Sequence, residues 1–151
     1  MKKQVLAVSL ASLMSIGTIG SVTAVNAEES DKTYTVGICQ LVQHEALDAA
    51  TQGFKDALTD ALGDAVTFEE KNAQGDSNTC STIINGLVSD NVDLILANAT
   101  ASLQAAAAGT TDIPILGTAV TDYGVALEID DFDGTVGGNI SGTSDLAPLD
   151  Q

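Results

Sequence analysis

The stretch Thr35–Glu45, TVGICQLVQHE, decides how this chain is read. An apolar strand, about Thr33 to Gln40, runs into a polar loop and then into a long helix, about Glu45 to Leu62. Strand, loop, helix is the opening of a βα unit, and in an open parallel sheet ligands sit beyond the carboxyl ends of the strands. The loop Gln40-Leu41-Val42-Gln43-His44 falls at such an end and carries the only histidine in the chain.

The pattern repeats downstream. Leu47, Ala50, Phe54, Ala57, Leu58, Ala61 and Leu62 form one apolar stripe at helical spacing, closed by Gly63. A second strand is expected over residues 65–72 and a turn over 73–77, with Asp76 or Ser77 capping a helix over about 78–89. Cys80, Ile83, Ile84, Leu87 and Val88 supply its stripe. Residues 92–97, VDLILA, are short and nearly unbroken apolar, as a buried central strand should be. Thr100 is expected to cap a third helix over 101–108, ended by Gly109. A fourth strand is expected over 113–118, with Pro114 near its start, where a missing N–H is tolerated. Past Ala119 the pattern loosens: a loop to Gly124, a short strand over 125–129, an acidic glycine-rich run over 130–138 and a final strand over 139–142. Strands alternating with helices of this length predict an α/β fold, a three-layer parallel sheet of about five strands in the order 2-1-3-4-5.

Residues 1–27 read as a secretory signal: Met1-Lys2-Lys3, an uncharged apolar run over 5–22, and small residues up to Ala27. A retained membrane helix is the alternative, and the glycines and cleavage-like end argue against it. Neither cysteine directly follows the cleavage point, so no lipid-carrying amino-terminal cysteine is seen. The lobe then spans 28–144, and 145–151 begins a connection to something further. All 21 acidic residues lie after residue 27 against three lysines and no arginine, a formal charge of −18. Such a surface repels nucleic acid and anionic membranes.

The strand ends bring Gln40, Gln43 and His44, then Asn98, Ala99 and Thr100, then Thr121 and Asp122 to one edge. Helix N-termini there attract a carboxylate, helped by Thr100 or Ser102, and Asp122 suits an ammonium group. Together these describe a zwitterion such as an amino acid. Enzymatic readings do poorly: there is no GxSxG elbow for His44 to serve, and one histidine with two distant cysteines makes no zinc site. Asp130, Asp131 and Asp133 lack the rest of a calcium loop. No cofactor and no metal is expected. The GTVGGNISG run lacks the strand and helix of a nucleotide fingerprint, and the sequons at Asn98 and Asn139 read as chance matches.

Cys39 and Cys80 are expected to form a disulfide. In a 2-1-3 order the second helix crosses over the first strand, which puts Cys80 in its first turn near Cys39 at the same edge. The alternative is two buried free thiols packed as small hydrophobes.

The segments VGICQLVQHEALDAATQGFKDAL, KNAQGD, VDLILANATASLQAAA, DIPILGTAVTDYG and GNISGTSDLAP, in this order, resemble the substrate-binding proteins of ABC transporters, in the group that binds tryptophan and other aromatic amino acids. The resemblance covers about residues 34–150. It implies the first, flavodoxin-like lobe of a type I periplasmic-binding-protein fold, a second lobe, a permease partner and an exported location. In this lobe Leu41, Val42 and Tyr123 are placed to help hold an aromatic side chain. A stand-alone sensor module of the same fold and a flavodoxin-like enzyme using His44 are the alternatives.

Overall fold

The computed structural model describes residues 32–145. The expected signal segment and residues 146–151 of the expected connection lie outside them. Strands β1 (Tyr34–Gln40), β2 (Val66–Asn72), β3 (Leu94–Asn98), β4 (Ile115–Val120) and β5 (Ile140–Ser144) form one parallel sheet in the order β2-β1-β3-β4-β5. Between them run α1 (Glu45–Leu62), α2 (Ser77–Ser89), α3 (Thr100–Gly109) and the single turn α4 (Tyr123–Ala126). The order expected from the alternation of elements is the order observed. Among the described residues no helix is long and apolar enough to cross a membrane.

The two faces of the sheet follow from the period of two along each strand. Val36, Ile38, Val66 and Leu96 point to one face and pack under Phe54 and Leu58 of α1. Cys39, Ile95 and Ala97 point to the other, against Ile84 and Leu87 of α2 and Leu103 and Ala106 of α3. Burying each large aliphatic side chain stabilises the fold by about 1.5–3 kcal/mol, so the second, more populated face carries more of the stability.

Besides shifts of one or two residues at other ends, such as β3 starting at Leu94 rather than Val92, three differences from expectation have a visible cause or consequence. β4 starts at Ile115, after Pro114: proline offers no N–H to the ladder, and its carbonyl instead accepts Ile95 N–H at 2.9 Å. The strand expected over 125–129 does not form, because the Asp122 carboxylate accepts Val125 N–H at 3.0 Å and starts α4 there. The final strand is β5, running two residues past the expected end at 142.

Tyr123 is what fastens α4 to the sheet. Gly117 and Gly142 are register partners on β4 and β5, and a Cβ on either would collide with the Tyr123 hydroxyl. Two facing glycines therefore make the slot that the ring occupies, and its hydroxyl donates to Thr143 O at 3.3 Å. This seats Asp122 at the carboxyl end of β4. β5 itself is an edge strand, uncharged and mostly exposed, whereas the opposite edge, β2, carries Glu69, Glu70 and Lys71. Neither sequon asparagine is free: Asn98 is fully buried, and the Asn139 amide donates to Thr110 O and Ile113 O.

Candidate functional site

The carboxyl edge of the sheet gathers the loops after β1, β3 and β4, as expected from the sequence. The eight expected site residues do not all face it. Gln43, His44, Thr100, Thr121 and Asp122 are exposed there, while Gln40, Asn98 and Ala99 are buried.

Gln40 and Asn98 are turned inward because they are in phase with the apolar residues of their strands. They meet Thr51 of α1, itself 3% exposed, in a hydrogen-bonded chain. Asn98 Nδ2 donates to Leu47 O at 2.8 Å and to Thr51 Oγ1 at 2.9 Å, and approaches Gln40 Oε1 at 3.4 Å. The Thr51 hydroxyl donates to Gln40 Oε1 at 2.7 Å, and Gln40 Nε2 donates to Asp48 Oδ1 at 2.6 Å and to Val42 O at 2.9 Å. The buried Gln40, Thr51 and Asn98 side chains bond one another, with the exposed Asp48 carboxylate at the end of the chain. The two glutamine and asparagine amides thus hold α1 and the loop rather than reach outward. Asn98 Oδ1 alone has no protein partner among the described residues.

His44 is the N-cap of α1: its Nδ1 accepts Ala46 N–H at 3.2 Å and its carbonyl accepts Asp48 N–H at 2.8 Å. That is a structural use of the ring. Asp76 caps α2 through Thr79 N–H at 2.7 Å, and this bond is the first cause holding its carboxyl below the ordinary value. The third helix starts differently from expectation. Thr100 does not cap it; the N-cap is Ala99, with φ 84° and ψ 160° and no side-chain hydrogen bond. Only glycine enters that region readily, and another residue there costs about 1–3 kcal/mol. Ala99 is held in place by its N–H to Thr118 O at 3.0 Å and by Leu103 N–H to its own carbonyl at 3.1 Å. The N–H groups of Thr100, Ala101 and Ser102 precede that first helical bond, so the positive end of α3 faces the edge without a side-chain cap.

Two hollows flank this edge. A groove of about 650 Å³ includes Thr121, Asp122, Tyr123, Phe132, Val136 and Ile140. A polar cavity of about 380 Å³ between α1 and β2 includes Gln40, Gln43, Asp48, Thr51 and Asn72. Asn98, Ala99 and Thr100 line neither, so the expected residues form an open edge rather than one enclosed pocket. No group of three His, Cys, Asp or Glu that could hold a metal occurs among the described residues.

The expected disulfide is absent: Cys39 and Cys80 are free, buried thiols. The sequence placed them on the correct face, and the hydroxyl of Ser102 of α3 lies 3.6 Å from each sulfur. Burial above all pushes the Cys39 thiol up to about 12, with Cys80 adding to the rise and Ser102 opposing it. Only the thiolate is nucleophilic, so the raised, buried Cys39 thiol is largely unreactive at pH 8. The folded chain is therefore expected to resist iodoacetamide at pH 8 at both positions, and to take up two adducts once unfolded in urea. Mass spectrometry decides: alkylation of the folded chain at the rate of an exposed cysteine contradicts the burial, and no adducts after unfolding contradicts the free thiols.

Comparison with known proteins agrees with this geometry. The family model for ABC transporter substrate binding proteins matches residues 35–151. The chain belongs to that family. A tyrosine-binding protein of Clostridioides difficile (strain R20291) is 44% identical over 126 residues, 82% of this chain and 36% of that protein. The ligand-free, open structure of a substrate-binding protein with adhesive properties from Clostridium difficile superposes with a TM-score of 0.71 at 43% identity, covering 78% of this chain and 41% of that one. An ABC domain from Streptococcus pneumoniae in complex with L-Trp gives a TM-score of 0.68 at 31% identity, covering 75% and 39%. The chain thus spans well under half the length of these substrate-binding relatives, none of which is described as an enzyme.

Sequence reasoning missed Thr51 and Asp48. Thr51 had a signal: it stands between Leu47 and Phe54 on the apolar stripe of α1, a polar residue on a face that meets the sheet.

Proposed function

We infer that this chain forms one wall of an amino acid-binding cleft in an exported receptor that delivers its ligand to an ABC permease. The observation that carries the reading is the uncapped start of α3 at the same sheet edge as the exposed Asp122 carboxylate, within a family fold. The N–H groups of residues 100–102 suit the ligand carboxylate, and Asp122 suits its ammonium group. Relatives named for tyrosine and solved with L-Trp favour an aromatic side chain. A second lobe closing over this edge and the leader-like residues 1–27 belong to the same proposal, as does the exported location.

The test is a chimera in which this lobe replaces the matching 126 residues of the C. difficile tyrosine-binding protein. Calorimetric titration with L-tyrosine, L-tryptophan and L-isoleucine should show micromolar binding of an aromatic amino acid. Asp122→Ala should weaken it by about tenfold or more, as expected when a charged partner loses its hydrogen bond. A folded chimera that binds none of the three at millimolar concentration overturns the reading.

A further inference from the structure

The buried chain of hydrogen bonds under the β1–α1 loop has a direction. Carbonyl and carboxylate oxygens only accept, so Leu47 O, Val42 O and Asp48 Oδ1 each demand a donor. These three acceptors fix the flip of both amides: Asn98 presents Nδ2 to α1, and Gln40 presents Nε2 to the loop and to Asp48. Thr51 sits in the middle and uses its hydroxyl both ways, donating to Gln40 Oε1 and accepting from Asn98 Nδ2. Serine alone shares with threonine a single short-armed hydroxyl oxygen that both donates and accepts.

The last bond of the chain ends on the loop itself. Gln40 Nε2 grips the carbonyl of Val42, two residues on, and Gly75 N–H grips Leu41 O from the neighbouring turn at 2.8 Å. The loop leads directly into His44, the cap of α1.

We propose that Thr51 is a positioning residue for the ligand wall: through Gln40 it sets the conformation of the Leu41–His44 loop. Its importance to binding rests on the reading of the carboxyl edge given above. Without the hydroxyl, Gln40 Oε1 loses its 2.7 Å donor, the amide is no longer held in one flip, and the grip on Val42 O loosens.

Hydrogen exchange of the full chain tests this without any ligand, so its failure is distinct from failure of the functional reading. In Thr51→Val, the amides of Leu41, Ala46, Asp48 and Gly75 should exchange at least about tenfold faster relative to the core amides of Ile38 and Leu96. Thr51→Ser should restore them to within about threefold of the parent, since it keeps the hydroxyl. Equal acceleration at all amides in Thr51→Val, or a Thr51→Ser protein as loose as Thr51→Val, overturns the proposal. If Thr51→Val does not fold, Asp48→Ala decides: it removes the other anchor of the Gln40 amide from an exposed position. Local acceleration at the same amides supports the proposal, and parental exchange there overturns it.

Discussion

Asn98→Asp is expected to lower the stability of this chain by about 3–5 kcal/mol at pH 7, the cost typical of an uncompensated buried charge. The substitution changes no volume. It replaces the Nδ2 donor, 2.8 Å from Leu47 O and 3.4 Å from Gln40 Oε1, with an oxygen that repels both. Fully buried, the introduced carboxyl has no cation within the network to offset its charge. Its pKa in the folded state is therefore raised above its unfolded value. The sign follows: the folded state binds the proton more tightly, so the penalty is present in full above the folded pKa and shrinks as pH falls towards the unfolded one. With a urea slope of about 1.5 kcal/mol per molar, the midpoint should drop by about 2–3 M at pH 7. It should recover part of that near pH 5, beyond any change in the parent. A midpoint within 0.5 M of the parent at pH 7, on the same order-of-magnitude scale, would show that the amide is not held as a donor to α1.

Aromatic amino acids should bind the isolated chain at least about 100-fold more weakly than they bind the two-lobed chimera. A ligand pocket normally buries about 70–90% of its ligand, and this chain supplies about 36% of the length of its tyrosine-binding relative. Micromolar affinity corresponds to about −8 kcal/mol, so half of the contacts leave about −4 kcal/mol, which is millimolar. Calorimetry on both proteins under one buffer condition makes the comparison. Equal affinities would place the whole site within this lobe, in one of the hollows beside the edge.

Much of the architecture is legible in the sequence for physical reasons. Most strands are bounded by turn residues, α1 and α2 each show one apolar stripe, and right-handed crossovers leave few ways to order the strands. The site is less legible because a strand end presents two kinds of residue. Gln40 continues the phase of Val36 and Ile38, and Asn98 continues that of Leu94 and Leu96; both therefore point under α1. Counting that alternation to its last residue would have separated them from Gln43 and Thr100, which lie past the strands. The backbone of Ala99 left no trace in its residue type, because a positive φ on alanine is imposed by the bonds around it. The two cysteines show a different limit. Secondary structure places both sulfurs on one face. Whether they bond depends on side-chain geometry that residue spacing does not carry, and the Ser102 hydroxyl beside them comes from α3, whose rotation is set only by packing.

The unlike edges of the sheet bear on how the protein can be handled in solution. β5 is an edge strand whose side chains carry no charge, and at its start Ile140 N–H is taken by Gly137 O at 3.3 Å. Pairing of two copies at that edge is opposed by the long-range repulsion of a chain with net charge −16. That repulsion reaches about 10 Å at 0.1 M salt and only about 3 Å at 1 M. Charge at a distance thus opposes edge-to-edge association of this lobe, and that opposition is expected to be stronger in dilute buffer than in high salt.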